Sequence, residues 1–101
     1  MPLPDDNTVN VIAETYRLLG DPTRLKIVLT CMDGPIAVGD IAKTTGASQS
    51  LVSHHLRLLR AARLLRGTRR NKQVFYEAAD HHIARMLADM VDHAGEEHDE
   101  D

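Results

Sequence analysis

Helix-breaking residues divide the first half of the chain into short pieces, and that division constrains the fold more than any other feature. Gly20-Asp21-Pro22, Asp33-Gly34-Pro35 and Gly46 each interrupt apolar residues recurring at helical spacing. Asp followed by Pro marks a helix start, because the carboxylate caps free N–H groups and Pro lacks one that would go unmet. Gly after an apolar stripe marks a stop. On these rules Met1 to Asn7 reads as a loose arm and Thr8 as the N-cap of a first helix. That helix carries Val11, Ile12, Leu18 and Leu19 and ends at Gly20. A second starts at Asp21-Pro22 and buries Leu25, Ile27, Val28, Leu29 and Met32. A third covers roughly Val38 to Thr45. Ser48 caps a fourth, with Leu51, Val52, Leu56, Leu59 and Ala62 tracing its inner face. Only the turn Thr45-Gly46-Ala47 separates the last two, which is the spacing of a helix–turn–helix.

After Leu64 the pattern changes. Leu65–Arg69 and Gln73–Glu77 flank Arg70-Asn71-Lys72, and the second flank alternates polar with apolar, predicting a short hairpin with a charged tip. A final helix begins near Asp80, carries Ile83, Met86, Leu87, Met90 and Val91, and fades at Gly95. The expected architecture is mainly α with a small β-hairpin: a winged helix–turn–helix. The arm spans 1–7, the domain with its terminal helix 8–95, and an acidic tail 96–101.

A length of 101 residues suits one core and no second domain. With no Trp, one Phe and two Tyr, that core must be aliphatic. No apolar run approaches the roughly 18 residues that span a bilayer, and the start, with Asp5 and Asp6, lacks the basic and apolar stretches of a signal peptide. A single cysteine, Cys31, excludes an internal disulfide framework and a Cys-rich zinc finger. The expectation is a cytoplasmic protein with no membrane partner.

The net charge of −3 conceals a strong segregation. Residues 1–56 carry −2 and residues 77–101 carry −8, whereas 57–76 carry +7 with no acid at all. A cationic block of this density attracts a phosphate backbone whatever the total charge. A solvated helix face would also be cationic, so the neighbouring residues decide. The fourth helix opens with Ser48-Gln49-Ser50-Leu51-Val52-Ser53-His54-His55. With Leu51, Val52 and Leu56 inward, Ser48, Gln49, Ser50, Ser53, His54 and Arg57 are left for DNA. Gln can bond adenine through two atoms, and Ser can donate to or accept from bases and phosphates. Arg69, Arg70 and Lys72 at the hairpin suit a flanking phosphate or minor groove. Double-stranded DNA is the expected partner. No Gly-rich phosphate loop or nucleophile–base pair points to an enzyme or to an organic substrate.

The run Leu18-Leu19-Gly20-Asp21-Pro22-Thr23-Arg24-Leu25-Lys26-Ile27, with Ser48 to Leu59, resembles the ArsR/SmtB family of bacterial transcriptional repressors, over about residues 10 to 96. The resemblance implies a homodimer that binds an inverted-repeat operator and leaves it when an inducer, commonly a metal ion, binds.

The final helix carries ligands suited to Zn²⁺, and also to Ni²⁺ or Co²⁺: Asp80 and His82 at one end, His93 and Glu96 at the other. His82 and His93 are three turns apart, on one face but about 16 Å distant along the axis. Zn–N and Zn–O bonds of about 2.0–2.2 Å cannot bridge that gap within one chain. Two copies packed antiparallel bring Asp80 and His82 of one beside His93 and Glu96 of the other, giving four ligands per ion. His93 and Glu96 share a helix face. Asp80 and His82 can share an ion only if Asp80 precedes the helical backbone. The resemblance adds that Asp-x-His, then His-x-x-Glu eleven residues on, looks like the interhelical site of the family's zinc sensors. The reading is therefore a repressor released from DNA by Zn²⁺. The alternative is a regulator answering Ni²⁺, Co²⁺ or a non-metal inducer, its zinc site vestigial. His81 and His98 fall outside the pattern, either facing solvent or adding ligands for a six-coordinate ion. A thiolate site of some family members has its Cys just before Val-Gly-Asp; Ala37 stands there, and with Asp40 alone that site is expected to be absent. Cys31 is expected to act as a small core hydrophobe.

Overall fold

Three side-chain caps set the frame of the computed structural model, which describes residues 1–96. Asp5 accepts from Thr8 N–H at 2.8 Å, Asp21 from Arg24 N–H at 2.9 Å, and Ser48 from Leu51 N–H at 3.1 Å. Helix α1 accordingly runs Asp6–Leu19, α2 Pro22–Thr30 and α4 Gln49–Ala61, with α3, Val38–Thr45, between the last two. The first cap corrects the expected start at Thr8. Thr8 is inside the helix, and the carboxylate of Asp5 takes the capping role because it meets a freed N–H three residues on.

Two strands form the wing, β2 (Leu65–Arg70) and β3 (Gln73–Ala78), paired antiparallel across a two-residue turn. Asn71 in that turn has φ 58°, a left-handed value that Asn tolerates better than most residues. Both strands run one residue beyond the expected hairpin. A third strand, β1 (Ile36–Ala37), pairs with β3, placing β3 in the centre of the sheet. Two residues are too few for an alternating pattern, so sequence periodicity held no sign of it. The chain ends its described part in α5 (His81–Gly95). The expected acidic tail lies outside the described residues beyond Glu96, as does His98.

The core is aliphatic, as the composition requires. Ile27, Val28, Ile41, Val52, Leu56, Leu59, Leu64 and Leu65 are almost wholly buried between α2, α3, α4 and the base of the wing. Cys31, the C-cap of α2, is fully buried among them, and burial pushes its thiol up to about 12. So buried, Cys31 packs as a small apolar group and is not a ready nucleophile.

Candidate nucleic-acid interface and metal-binding helix

The turn between α3 and α4 fixes how the second helix is presented. Gly46 closes α3 at φ 76°, its N–H bonding Ala42 O at 2.9 Å, and Thr45 Oγ1 donates back to Ile41 O at 2.8 Å. The left-handed value at Gly46 is one that a side chain would resist. Two residues later Ser48 starts α4, so the second helix leaves the first almost at once.

Along α4, Val52, His55, Leu56 and Leu59 are buried, while Ser48, Gln49, Ser50, His54 and Arg57 are exposed and Ser53 is half-buried. The expected reading surface is thus a continuous face. Gln49 leans towards α3, where a Cβ on Gly39 would stand 3.6 Å from its Nε2. Leu51 corrects the expected inner stripe: it is 42% exposed, because the first turn of α4 projects past the core. His55 takes an inner place not expected of a polar residue. It is 8% exposed, and its Nδ1 has no hydrogen-bond partner. Burial holds its imidazole below the ordinary range, the nearby Arg24 cation adds to this, Asp21 opposes it, and His54 contributes slightly.

All seven cations of the 57–76 block are exposed. Arg66 pairs with Glu77 across the wing at 3.4 Å, and Arg70 stands over the Phe75 ring, 5.6 Å from its centroid. Arg69, Arg70 and Lys72 lie together at the hairpin end. Just past the end of α4, Arg63 at φ 63° is a left-handed residue that swings the chain from helix into wing.

At the start of α5, Asp80 has extended backbone, φ −157° and ψ 175°, and its Oδ1 accepts from Ile83 N–H at 3.0 Å. That is the pre-helical position the pairing with His82 requires, and the cap engages one carboxylate oxygen. His82 and His81 are exposed with ring centroids 4.0 Å apart. His93 and Glu96 lie at the opposite end, Glu96 being the C-cap. Among the described residues no three His, Cys, Asp or Glu side chains cluster closely enough to hold an ion. The two pairs are separated by the helix itself. The donor set, two imidazoles and two carboxylates, fits a divalent cation in charge and hardness.

One buried residue, Leu87, anchors α5. Met90 and Val91 are exposed, as are Val9, Val11, Ile12 and Tyr16 of α1. Part of the apolar spacing on the two helices is thus left uncovered by the chain itself. The helices meet where Tyr16 Oη donates to Met86 Sδ at 3.7 Å. Tyr16, Leu25, Met86 and Met90 border an open apolar cavity of about 240 Å³ there.

A tight helix–turn–helix with an uncharged polar face, flanked by a cationic wing, defines a winged-helix DNA-binding protein. Residues 21–66 match the arsR family of bacterial regulatory proteins. The HTH-type transcriptional repressor SmtB of Mycobacterium tuberculosis is 36% identical over 94 residues, covering 93% of this chain and 70% of that protein. The NMR structure of the cadmium metal-sensor CmtR from the same organism is 37% identical with a TM-score of 0.70, over 88% of this chain and 94% of that one. A homodimeric winged helix–turn–helix DNA-binding domain from Mycobacterium bovis superposes with a TM-score of 0.82 at 25% identity, over 100% and 98%. The chain belongs to the arsR family and is a DNA-binding transcriptional regulator, not an enzyme.

Proposed function

We propose that the chain is a repressor whose homodimer binds an inverted-repeat operator and releases it when Zn²⁺ binds between the two copies of α5. The observation that carries this reading is the placement of two ligand pairs at opposite ends of one helix. Asp80 and His82 flank the start of α5, while His93 and Glu96 flank its end. About 16 Å of helix axis separates His82 from His93. An antiparallel second copy closes that gap, and exposed Met90 and Val91 on α5, with Val11, Ile12 and Tyr16 on α1, supply an apolar surface for it to cover. Each ion would then be held by Asp80 and His82 with the partner's His93 and Glu96, a closed four-ligand set suited to regulation.

DNA recognition is assigned to Ser48, Gln49, Ser50, Ser53, His54 and Arg57 at the major groove, and to Arg69, Arg70 and Lys72 at flanking phosphates or the minor groove. Half-sites about one helical turn apart suit two reading heads related by a two-fold axis. If the metal-bound dimer spaces the heads differently from the DNA-bound one, metal and operator weaken each other by the same factor.

Titrating operator mobility shifts with and without Zn²⁺ tests the reading. Operator affinity should fall on adding the metal, and His93→Ala should keep apo binding while losing the response. Unchanged affinity in wild type defeats the regulatory claim. Replacing Arg69 and Arg70 should weaken binding to all sequences and flatten its salt dependence. A second reading follows from His81, exposed beside His82: an added imidazole would favour Ni²⁺ or Co²⁺ over Zn²⁺. Competition titrations read by operator release separate these metals.

A further inference from the structure

Between the middle of α4 and the central strand β3 lies a polar cavity of about 290 Å³, bordered by Ser53, Arg57, Arg60 and Tyr76. Steps of four and three residues set Ser53, Arg57 and Arg60 on one stripe of the helix. Tyr76 comes from the sheet, half-buried against the core. Its ring has room because residue 67, its partner on β2, is glycine. A Cβ there would stand 3.1 Å from Tyr76 Cε1 and 3.1 Å from Val74 Cγ1.

The lining has two guanidinium groups, a phenol O–H and a serine O–H, with no carboxylate. Among the described residues Arg57 and Arg60 make no ion pair, whereas Arg66 is engaged by Glu77. Like charges held together without a counter-charge repel, and an oxyanion relieves them. A tetrahedral phosphate matches the planar donor fork of arginine and can also accept from a hydroxyl.

We propose that this notch holds a single phosphate of the DNA backbone, with Arg60 and Tyr76 as positioning residues beyond the base-reading face. The inference rests on the DNA-binding reading and deepens it. One phosphate gripped by both α4 and β3 fixes the duplex against helix and wing together, setting how far the head of α4 advances into the groove. Phosphate contacts of this kind set register and carry no base preference.

The test uses the full-length protein and operator duplexes carrying one neutral methylphosphonate at successive backbone positions. Wild type should lose affinity at several positions, those met by the hairpin cations included, and at one of them per half-site the loss, about tenfold as for a lost charge-assisted bond, should belong to the notch. Arg60→Gln should bind unmodified operator about tenfold more weakly and lose nothing further at that position. Its slope of log affinity against log salt should shrink by about one for each half-site. Tyr76→Phe keeps the ring packing and removes only the hydroxyl, so its loss should be non-additive with Arg60→Gln and additive with Lys72→Gln. Additive losses throughout, or Arg60→Gln still sensitive at every position, overturn the assignment. Titrating inorganic phosphate while following Arg60 Nε by NMR separates the other source. Millimolar saturation with a flat methylphosphonate scan means a small-phosphate site and also overturns it. Failure of wild type to bind any operator overturns the broader reading instead, so the two failures remain distinct.

Discussion

Helices α4 and α5 are nearly equal in length, 13 and 15 residues, and are finished in different ways. Four residues of α4 are buried, and the neighbours that cover them, α2, α3 and β2, belong to the same chain. Only Leu87 of α5 is buried, and the apolar side chains of its last two turns, Met90 and Val91, stand in water. Both helices are amphipathic, so amphipathicity alone does not say whether a helix is completed within its own chain. The difference teaches that α4, the helix assigned to DNA reading, is completed within the monomer. Its regulation is assigned to the helix that one chain leaves half covered.

The largest test of this contrast is Leu59→Ala against Met90→Asp. Leu59 is fully buried, so its truncation should cost about 2–5 kcal/mol in urea unfolding. Met90 is 54% exposed, and Met90→Asp should change the stability of dilute monomer by no more than about 0.5 kcal/mol. The same variant should weaken self-association in sedimentation experiments by tenfold or more, roughly the effect of one charge placed in an apolar interface. Equal unfolding costs, or unchanged association, would break the comparison.

A smaller effect sharpens it on the α4 side. His55 is buried with Nδ1 unmet and titrates below its ordinary range, so the unfolded chain takes up a proton more readily than the folded one. Stability is then complete above the ordinary histidine pKa of about 6.5 and declines as pH falls below it. Urea midpoints measured from about pH 7.5 down to about 5 should fall in wild type and fall less steeply in His55→Gln. Identical profiles would remove the burial argument. The smallest expected effect is at the hinge between helix and wing. Arg63→Gly relieves a left-handed residue and gives the unfolded chain more freedom, for a net gain of a few tenths to about 1 kcal/mol in thermal unfolding.

Much of this molecule is legible in order along the chain. Asp21-Pro22, Gly46 and Ser48 place three helix boundaries correctly, because caps and stops act over three or four residues. Asp80 is the extended residue that caps the start of α5, again a local matter. The start of α1 is misread because Asp5 and Thr8 are both competent caps and only the folded backbone decides between them. Strand β1 leaves no trace in two residues and exists because β3 offers it an edge. Of the notch at α4, Ser53, Arg57 and Arg60 are visible as a helical stripe. Tyr76 joins them only through the sheet, and only because Gly67 makes room.

By itself, then, the sequence determines most helix boundaries, where positive charge gathers and which histidines and acids flank the last helix. Each of these depends on neighbours a few residues away. Tertiary structure alone decides that a histidine of α4 lies in the core, that Leu51 does not, and that Val11 and Ile12 of α1 and Met90 and Val91 of α5 are left facing outward. Burial is shared among distant segments, and a spacing that marks one side of a helix as apolar does not name what will cover it.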